Sequence, residues 1–412
     1  MPNERKKRII LGLTGPLGSG VTTVSEVLAS SGRFHRVSVA ALIKEKLRQD
    51  ENVGVDDLLW DYKSITDWRK RLQDIGNEGR RTSLHFWVEK ALAGAPADND
   101  IVIDGIRNAG EVDWLRQNQS NFFLAAVVAP DAMRWERVQN TYQKNLAVFE
   151  RDDERDQDEE NSIGQQVEKC VLDADYVLRN DTKLEAKAAR EAHLFERLKQ
   201  SIDLFRGVPS RTATPDEVHM ATAYAQSHMS RCLKRFVGSV IVSDTGVALS
   251  LGYNENPIYM KPCELEYTYC FKDNKMIAAL ESMEAVFCPT CGTENEEFQA
   301  PWICIKPECR ENLKAKFFPS RNMELCTAIH AEERAIRSLH GRSAENSTMY
   351  VTTFPCFQCA RYIIDARIAR VVYVEAYPVL EAFEFLTKNN VKVEAFQGIK
   401  ARAFNQVFRQ RE

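Results

Sequence analysis

"RIILGLTGPLGSGVTTVSEVLASSG", residues Arg8 to Gly32, decides how the amino-terminal half is built. Ile9–Leu13 is an apolar run without polar alternation, the pattern of a buried strand. Val21–Gly32 follows as a helix closed by its terminal glycine. Between them, Gly15–Thr23 nearly matches the phosphate-binding pattern G-x-x-x-x-G-K-[ST]. Gly15, Gly20 and Thr22 are in place, and Val21 stands where the lysine belongs. The candidate phosphate-binding residues are thus Gly15, Pro16, Leu17, Gly18, Ser19, Gly20, Val21 and Thr22. Loop amides and a helix start attract an anion even without the cation. The loop is therefore expected to hold phosphate and not to transfer it; the alternative is a relic that only connects strand to helix.

Outward from this loop the same alternation continues. "DIVIDGIR" (Asp100–Arg107), "NFFLAAVVAP" (Asn121–Pro130) and "ADYVLRND" (Ala174–Asp181) read as further strands, and Thr182–Phe205 as a long helix. Strands alternating with helices imply an α/β fold with a parallel sheet covered on both faces. "RGVPSRTATPDE" (Arg206–Glu217) carries two prolines and a glycine and reads as a linker, with Thr214 capping the next helix ahead of Pro215. Phe236–Asn254 reads as a hairpin turned at Asp244–Gly246, and helices alternate with "STMYVTTF", "RVVYVEAY" and "VKVEAF" beyond it. The domains are expected at 1–208 and 209–412.

A chain of 412 residues exceeds one ordinary core. The net charge of −4 gives no basic surplus for coating nucleic acid. No stretch approaches the ~18 apolar residues of a spanning helix, so no membrane contact and a cytoplasmic location are expected. Of eleven cysteines only Cys170 precedes Cys232, and several of the rest fall in short pairs. Such clustering points to metal, since a reducing compartment disfavours disulfides.

"HAE" (His330–Glu332) and "PCFQC" (Pro355–Cys359) carry the chemistry. Two cysteines three apart at a helix start share a face, and with His330 they give Cys356, Cys359 and one imidazole as ligands for zinc, leaving a position open for water. Zinc acidifies such a water, and Glu332, not needed as a ligand, is placed to shuttle its protons. H-x-E followed by P-C-x-x-C resembles the zinc nucleobase deaminases, implying hydrolytic loss of an exocyclic amine as ammonia.

Between these motifs and the hairpin, residues 258–322 form a cysteine-rich insertion. "CPTCG" and "CIKPEC" offer Cys288, Cys291, Cys304 and Cys309 as four thiolates of a closed, structural zinc in a zinc-ribbon-like turn. Cys263, Cys270 and Cys326 are nearby spares.

"MSRCLKRFVGSVIV", "LSLGYNENP", "HAEERAI" and "YVTTFPCFQCARYII" together resemble the deoxycytidylate deaminase family, with its cytidine deaminase-like α/β/α fold. The resemblance implies that Asn254 binds the substrate sugar; the alternative is an asparagine that only stabilises its turn. "GLTGPLGSGVTT", "VIDGIRNAGEVDWLR" and "FERDDERD" resemble the nucleoside-monophosphate kinase branch of the P-loop fold. There Asp104 would support a magnesium ion with a nucleotide, and Arg151 and Arg155 would be lid arginines. The whole arrangement resembles bacterial anti-phage dCTP deaminases. It implies conversion of dCTP and dCMP to uracil nucleotides, two zinc ions per chain, a regulatory nucleotide and a homo-oligomer. A regulatory RNA or a phage signal stays open as the trigger. The rival readings are a deaminase that edits RNA or DNA, which would need a basic track and aromatic platforms, and a nucleotide-sensing switch without turnover.

Overall fold

The computed structural model describes residues 8–51, 62–157, 163–183, 186–282, 286–295, 304–306, 309, 326–375 and 380–408. It divides into two compact units, residues 1–221 with 395–412, and residues 222–394.

In the first unit, β1 (Ile10–Thr14), β2 (Phe34–Ser38), β3 (Asp100–Asp104), β4 (Phe122–Val128) and β5 (Tyr176–Arg179) form a parallel sheet in the order β5-β4-β1-β3-β2. Side chains alternate along each strand between two cores. Leu11, Leu13, Phe123, Ala125 and Val127 join Val24, Leu28 and Leu198 on one face. Ile10, Ile101, Ile103, Leu124 and Ala126 join Trp87, Val112 and Leu115 on the other. Burial on both faces explains the continuous apolar runs. The edge strand β2, "FHRVS", was not legible as a strand, because only its first residue is buried. Central β1 connects to β2 on one side, while its neighbour β3 connects back past it to β4 on the other. The loop Gly15–Gly20 therefore lies at the carboxyl end of the strand where the order reverses, which is where open α/β sheets hold ligands.

A short strand, Gly398–Ile399, closes the edge by pairing antiparallel with β5. The expected boundary between residues 208 and 209 left this segment with the second domain; the structure places it in the first unit. Glu217 explains the difference. Its fully buried carboxylate accepts hydrogen bonds from Arg211 at 2.6 Å and from the backbone amides of Thr214 and Ile399 at 2.8 Å. Glu217 and Thr214 also form a capping box, with the Thr214 hydroxyl accepting from the Glu217 amide at 3.2 Å, ahead of the helix Pro215–Ser227.

The second unit holds a mixed sheet. β6 (Gly238–Val242) and β7 (Ala248–Tyr253) form the hairpin, and β8 (Val286–Phe287) and β9 (Glu294–Asn295) a small separate one. β10 (Thr348–Thr353), β11 (Arg370–Glu375) and β12 (Lys392–Ala395) complete the order β12-β11-β10-β6-β7. β10 runs antiparallel to β6 and parallel to β11. Helices cover both faces of the hairpin. A Cβ on Gly238 would lie 1.9 Å from the Ala223 carbonyl, while the next residue, Ser239, donates its hydroxyl to the Ala331 carbonyl at 2.7 Å. Consecutive strand residues point to opposite faces, so the layers are helix, sheet, helix. Among the described residues, no helix is long and apolar enough to cross a membrane.

The helix Ala331–Arg337 lies against bare backbone on β7, where a Cβ on Gly252 would come within 2.1 Å of the Ala331 carbonyl and 2.6 Å of the Ala335 amide nitrogen. Gly252→Ala is therefore expected to lower stability by about 1–3 kcal/mol through overpacking. Chemical denaturation checks this; an unchanged midpoint would mean that the helix can shift aside.

Candidate active site

Two helix starts face each other across the edge of this sheet. His330 is the N-cap of Ala331–Arg337, and Cys356 is the N-cap of Phe357–Asp365. Cys359, one turn on, is buried beneath it. His330 Nδ1 stands 3.3 Å from Cys359 Sγ and 3.4 Å from Cys356 Sγ, and the three donor atoms lie within 4.8 Å of one another. Hydrogen bonding with Cys359 pulls the Cys356 thiol down to about 4, toward the thiolate that a metal needs. Two sulfurs and one imidazole suit zinc, with a fourth position left for a small ligand.

Glu332 sits in the first turn of the His330 helix, and burial pushes its carboxyl up to about 7. A carboxyl poised there exchanges protons near neutral pH. Its helix is held by Ser239 and by Arg334, which donates to the carbonyls of Tyr253 and Glu255 at 2.9 and 3.0 Å and stacks on the Tyr253 ring.

His330, Glu332 and Cys356 open onto a cavity of about 310 Å³. Asn254 lines it too, but its side chain is engaged: Oδ1 accepts from the Val237 amide at 2.7 Å, and Nδ2 donates to the Arg235 carbonyl at 2.9 Å. The geometry fits the turn-stabilising alternative, and one amide hydrogen of Asn254 remains for a ligand. Reasoning from sequence passed over Lys234, Arg235 and Lys272, three cations that line the same cavity. The adjacent basic pair in "CLKRF" was the available signal; Lys272 has none, since the fold alone brings it there.

The second cysteine group also converges. Cys288, Cys291, Cys304 and Cys309 place their sulfurs within 4.8 Å of one another, beside the β8–β9 hairpin. The Gly292 amide closes the knuckle turn by donating to the Cys288 carbonyl at 2.8 Å, with Gly292 at φ +72°. Hydrogen bonding to Thr293 lowers the Cys291 thiol to about 6. Four thiols so placed fit a closed tetrahedral zinc. None of the eleven cysteines is in a disulfide.

In the first unit, the residues Gly15–Thr22 line a cleft of about 1160 Å³. Gly18 and Gly20 take φ of +76° and +102°, conformations that favour glycine. Asp104 also lines the cleft, but its buried carboxylate accepts from Ser25 Oγ at 3.0 Å and pairs with Arg36. Arg151 does not line the cleft and pairs with Asp152 at 3.8 Å; the Arg155 side chain lies outside the described residues.

A family profile described as the cytidine and deoxycytidylate deaminase zinc-binding region matches residues 213–375. The deoxycytidylate deaminase of Saccharomyces cerevisiae is 28% identical over 183 residues, 44% of this chain and 44% of that one. The deoxycytidylate deaminase of Enterobacteria phage T4 is 32% identical over 158 residues, 38% of this chain and 75% of the phage protein. A probable deoxycytidylate deaminase of Drosophila melanogaster is 26% identical over 159 residues, 39% of this chain and 58% of that one. The match thus spans less than half of the yeast protein but most of the phage protein. With nearly a third of the residues shared over three quarters of the phage protein, the chain belongs to the deoxycytidylate deaminase family, a family of hydrolytic deaminases.

Proposed function

We propose that this protein deaminates deoxycytidine nucleotides, dCMP and dCTP, by hydrolysis. The observation that carries the reading is the convergence of His330, Cys356 and Cys359 beside buried Glu332 in one cavity. His330, Cys356 and Cys359 would hold zinc, which supplies Lewis acidity and acidifies water when bound. Glu332 takes a proton from water and delivers it to the ring nitrogen, and then moves the remaining proton of the attached hydroxyl to the departing amine, leaving a carbonyl. The water oxygen bonds to the ring carbon, the carbon–nitrogen bond breaks, and ammonia leaves. Lys234, Arg235 and Lys272 give the cavity positive charge for a phosphate, and Asn254 offers its remaining amide hydrogen to the sugar. Phosphates held by such cations distinguish a nucleotide from a free nucleoside.

Cys288, Cys291, Cys304 and Cys309 hold a second, structural zinc on this reading, and cysteines outside disulfides fit a reducing cytoplasm. The first unit is a P-loop kinase-like module that binds a nucleotide and governs the deaminase without phosphoryl transfer, for which Val21 is the chief support. The resemblance to anti-phage enzymes supplies the biological role, depletion of the deoxycytidine nucleotides that an infecting phage consumes.

Ammonia release from dCTP, dCMP, cytidine and single-stranded DNA tests the substrate class; the nucleotides are expected to react fastest, and turnover of DNA alone would refute the proposal. Glu332→Ala should lower the rate at least ~100-fold, the scale of general acid–base contributions, with zinc content unchanged. Elemental analysis beside the rate measurement separates lost proton transfer from lost metal.

Cys288→Ser or Cys304→Ser should reduce zinc from two ions to one per chain and lower the melting temperature, because such a knuckle folds around its ion. Well-folded wild-type protein with one zinc per chain would overturn the second site.

A further inference from the structure

Val21 takes the cation out of the loop, and the fold brings another to it. The helix Asp131–Val138 lays Arg137 across the loop backbone. Its Nη1 donates to the carbonyls of Gly18 and Ser19 at 3.3 and 3.2 Å, and its Nη2 to the carbonyl of Asn180 at 2.6 Å. Asn180 in turn donates from Nδ2 to the Ser19 carbonyl at 2.8 Å. Loop carbonyls are thus turned onto protein donors. The amides opening the helix Val21–Ser30 meet no side-chain cap and are left for an acceptor from outside.

A second observation points to the same place. Ser19 is fully buried in the loop and lines the cleft, yet its hydroxyl has no hydrogen-bond partner. A buried hydroxyl without a partner is costly unless a ligand meets it.

The charge around the cleft is arranged for an anion. Arg190, from the helix Lys187–Phe205, and Lys44 also line it, as do Glu136 and Glu191. Burial and then the neighbouring Arg190 work against the charge on Arg137, by more than Glu136 and Asp181 restore. An anion held near both guanidiniums offsets their mutual repulsion. The carboxylate that would hold a magnesium ion, Asp104, is meanwhile occupied by Arg36 and Ser25.

We propose that this cleft is a polyphosphate site in which Arg137, seconded by Arg190, replaces the missing loop lysine, and which needs no divalent cation. The proposal rests on reading the loop as nucleotide-binding and adds what does the binding. Planar guanidiniums grip phosphate oxygens in pairs, which a single loop ammonium does not.

The test uses the full chain, with inorganic tripolyphosphate and ATP as probes. Buffers are freed of magnesium by chelating resin before protein is added, so that the zinc stays in place. Calorimetry should show binding that is undiminished without magnesium, and hydrogen exchange should show the amides of Gly15–Thr22 protected by either probe. Arg137→Gln keeps a donor for the loop carbonyls without the charge and should weaken binding at least ~10-fold. Arg137→Lys, which restores the charge, should recover part of that loss; melting temperatures establish that both variants are folded. Loop protection that requires magnesium, or that survives Arg137→Gln unweakened, overturns the arginine proposal while leaving the loop as a nucleotide site. No protection of Gly15–Thr22 by either probe overturns both.

Discussion

Backbone-to-backbone contact between one short helix and one strand sets the geometry of the catalytic unit. Ala331–Arg337 can lie on β7 only because Gly252 presents no side chain to the Ala331 carbonyl. Ser239, paired with Gly252 across the hairpin, then donates to that same carbonyl. The helix is thereby fixed at its first residue, and the residues on either side of Ala331 are His330 and Glu332. A candidate metal ligand and a candidate proton carrier thus owe their positions to a single point of close packing, and Arg334 ties the next turn of the helix to the end of the same strand.

Burial and charge divide the labour around that point. Cys356 and Cys359 come from a second helix start, where the end of the helix dipole favours thiolates. Glu332 lies in the dry part of the same cavity, where desolvation favours its protonated form. The three cations at Lys234, Arg235 and Lys272 line the cavity with the metal-binding residues. One cavity therefore gathers a cluster of residues able to hold a metal, a buried carboxyl and three cations, of which Lys234 pairs with Asp273 and Arg235 with Glu375.

The first unit shows how a motif can lose a residue without losing its electrostatic character. A loop lysine is a compact point charge, whereas the planar guanidinium of Arg137 reaches the loop from a neighbouring helix. Val21 stands at the loop's lysine position, Arg137 donates to the loop carbonyls from outside it, and Arg36 occupies Asp104, so the charges nearest the loop are set by residues distant in sequence.

Much of this was determined by the sequence itself. Apolar runs specified β1, β3, β4 and β5 because each is buried on two faces, and residue spacing brought His330, Cys356 and Cys359 forward as a group because metal chemistry tolerates few arrangements. Local chemistry also specified the Thr214 cap. Tertiary structure alone decided what depends on distant partners. The edge strand β2 and the strand Gly398–Ile399 are defined by the neighbours they pair with, and no local pattern encodes Glu217 reaching the Ile399 amide. The same holds for Asn254, whose amide went to the backbone of Arg235 and Val237, and for Lys272 and Arg137, ordinary surface cations in the sequence. A hydrogen bond or a charge acquires its role from what lies within a few ångströms, and only folding settles which residues those are.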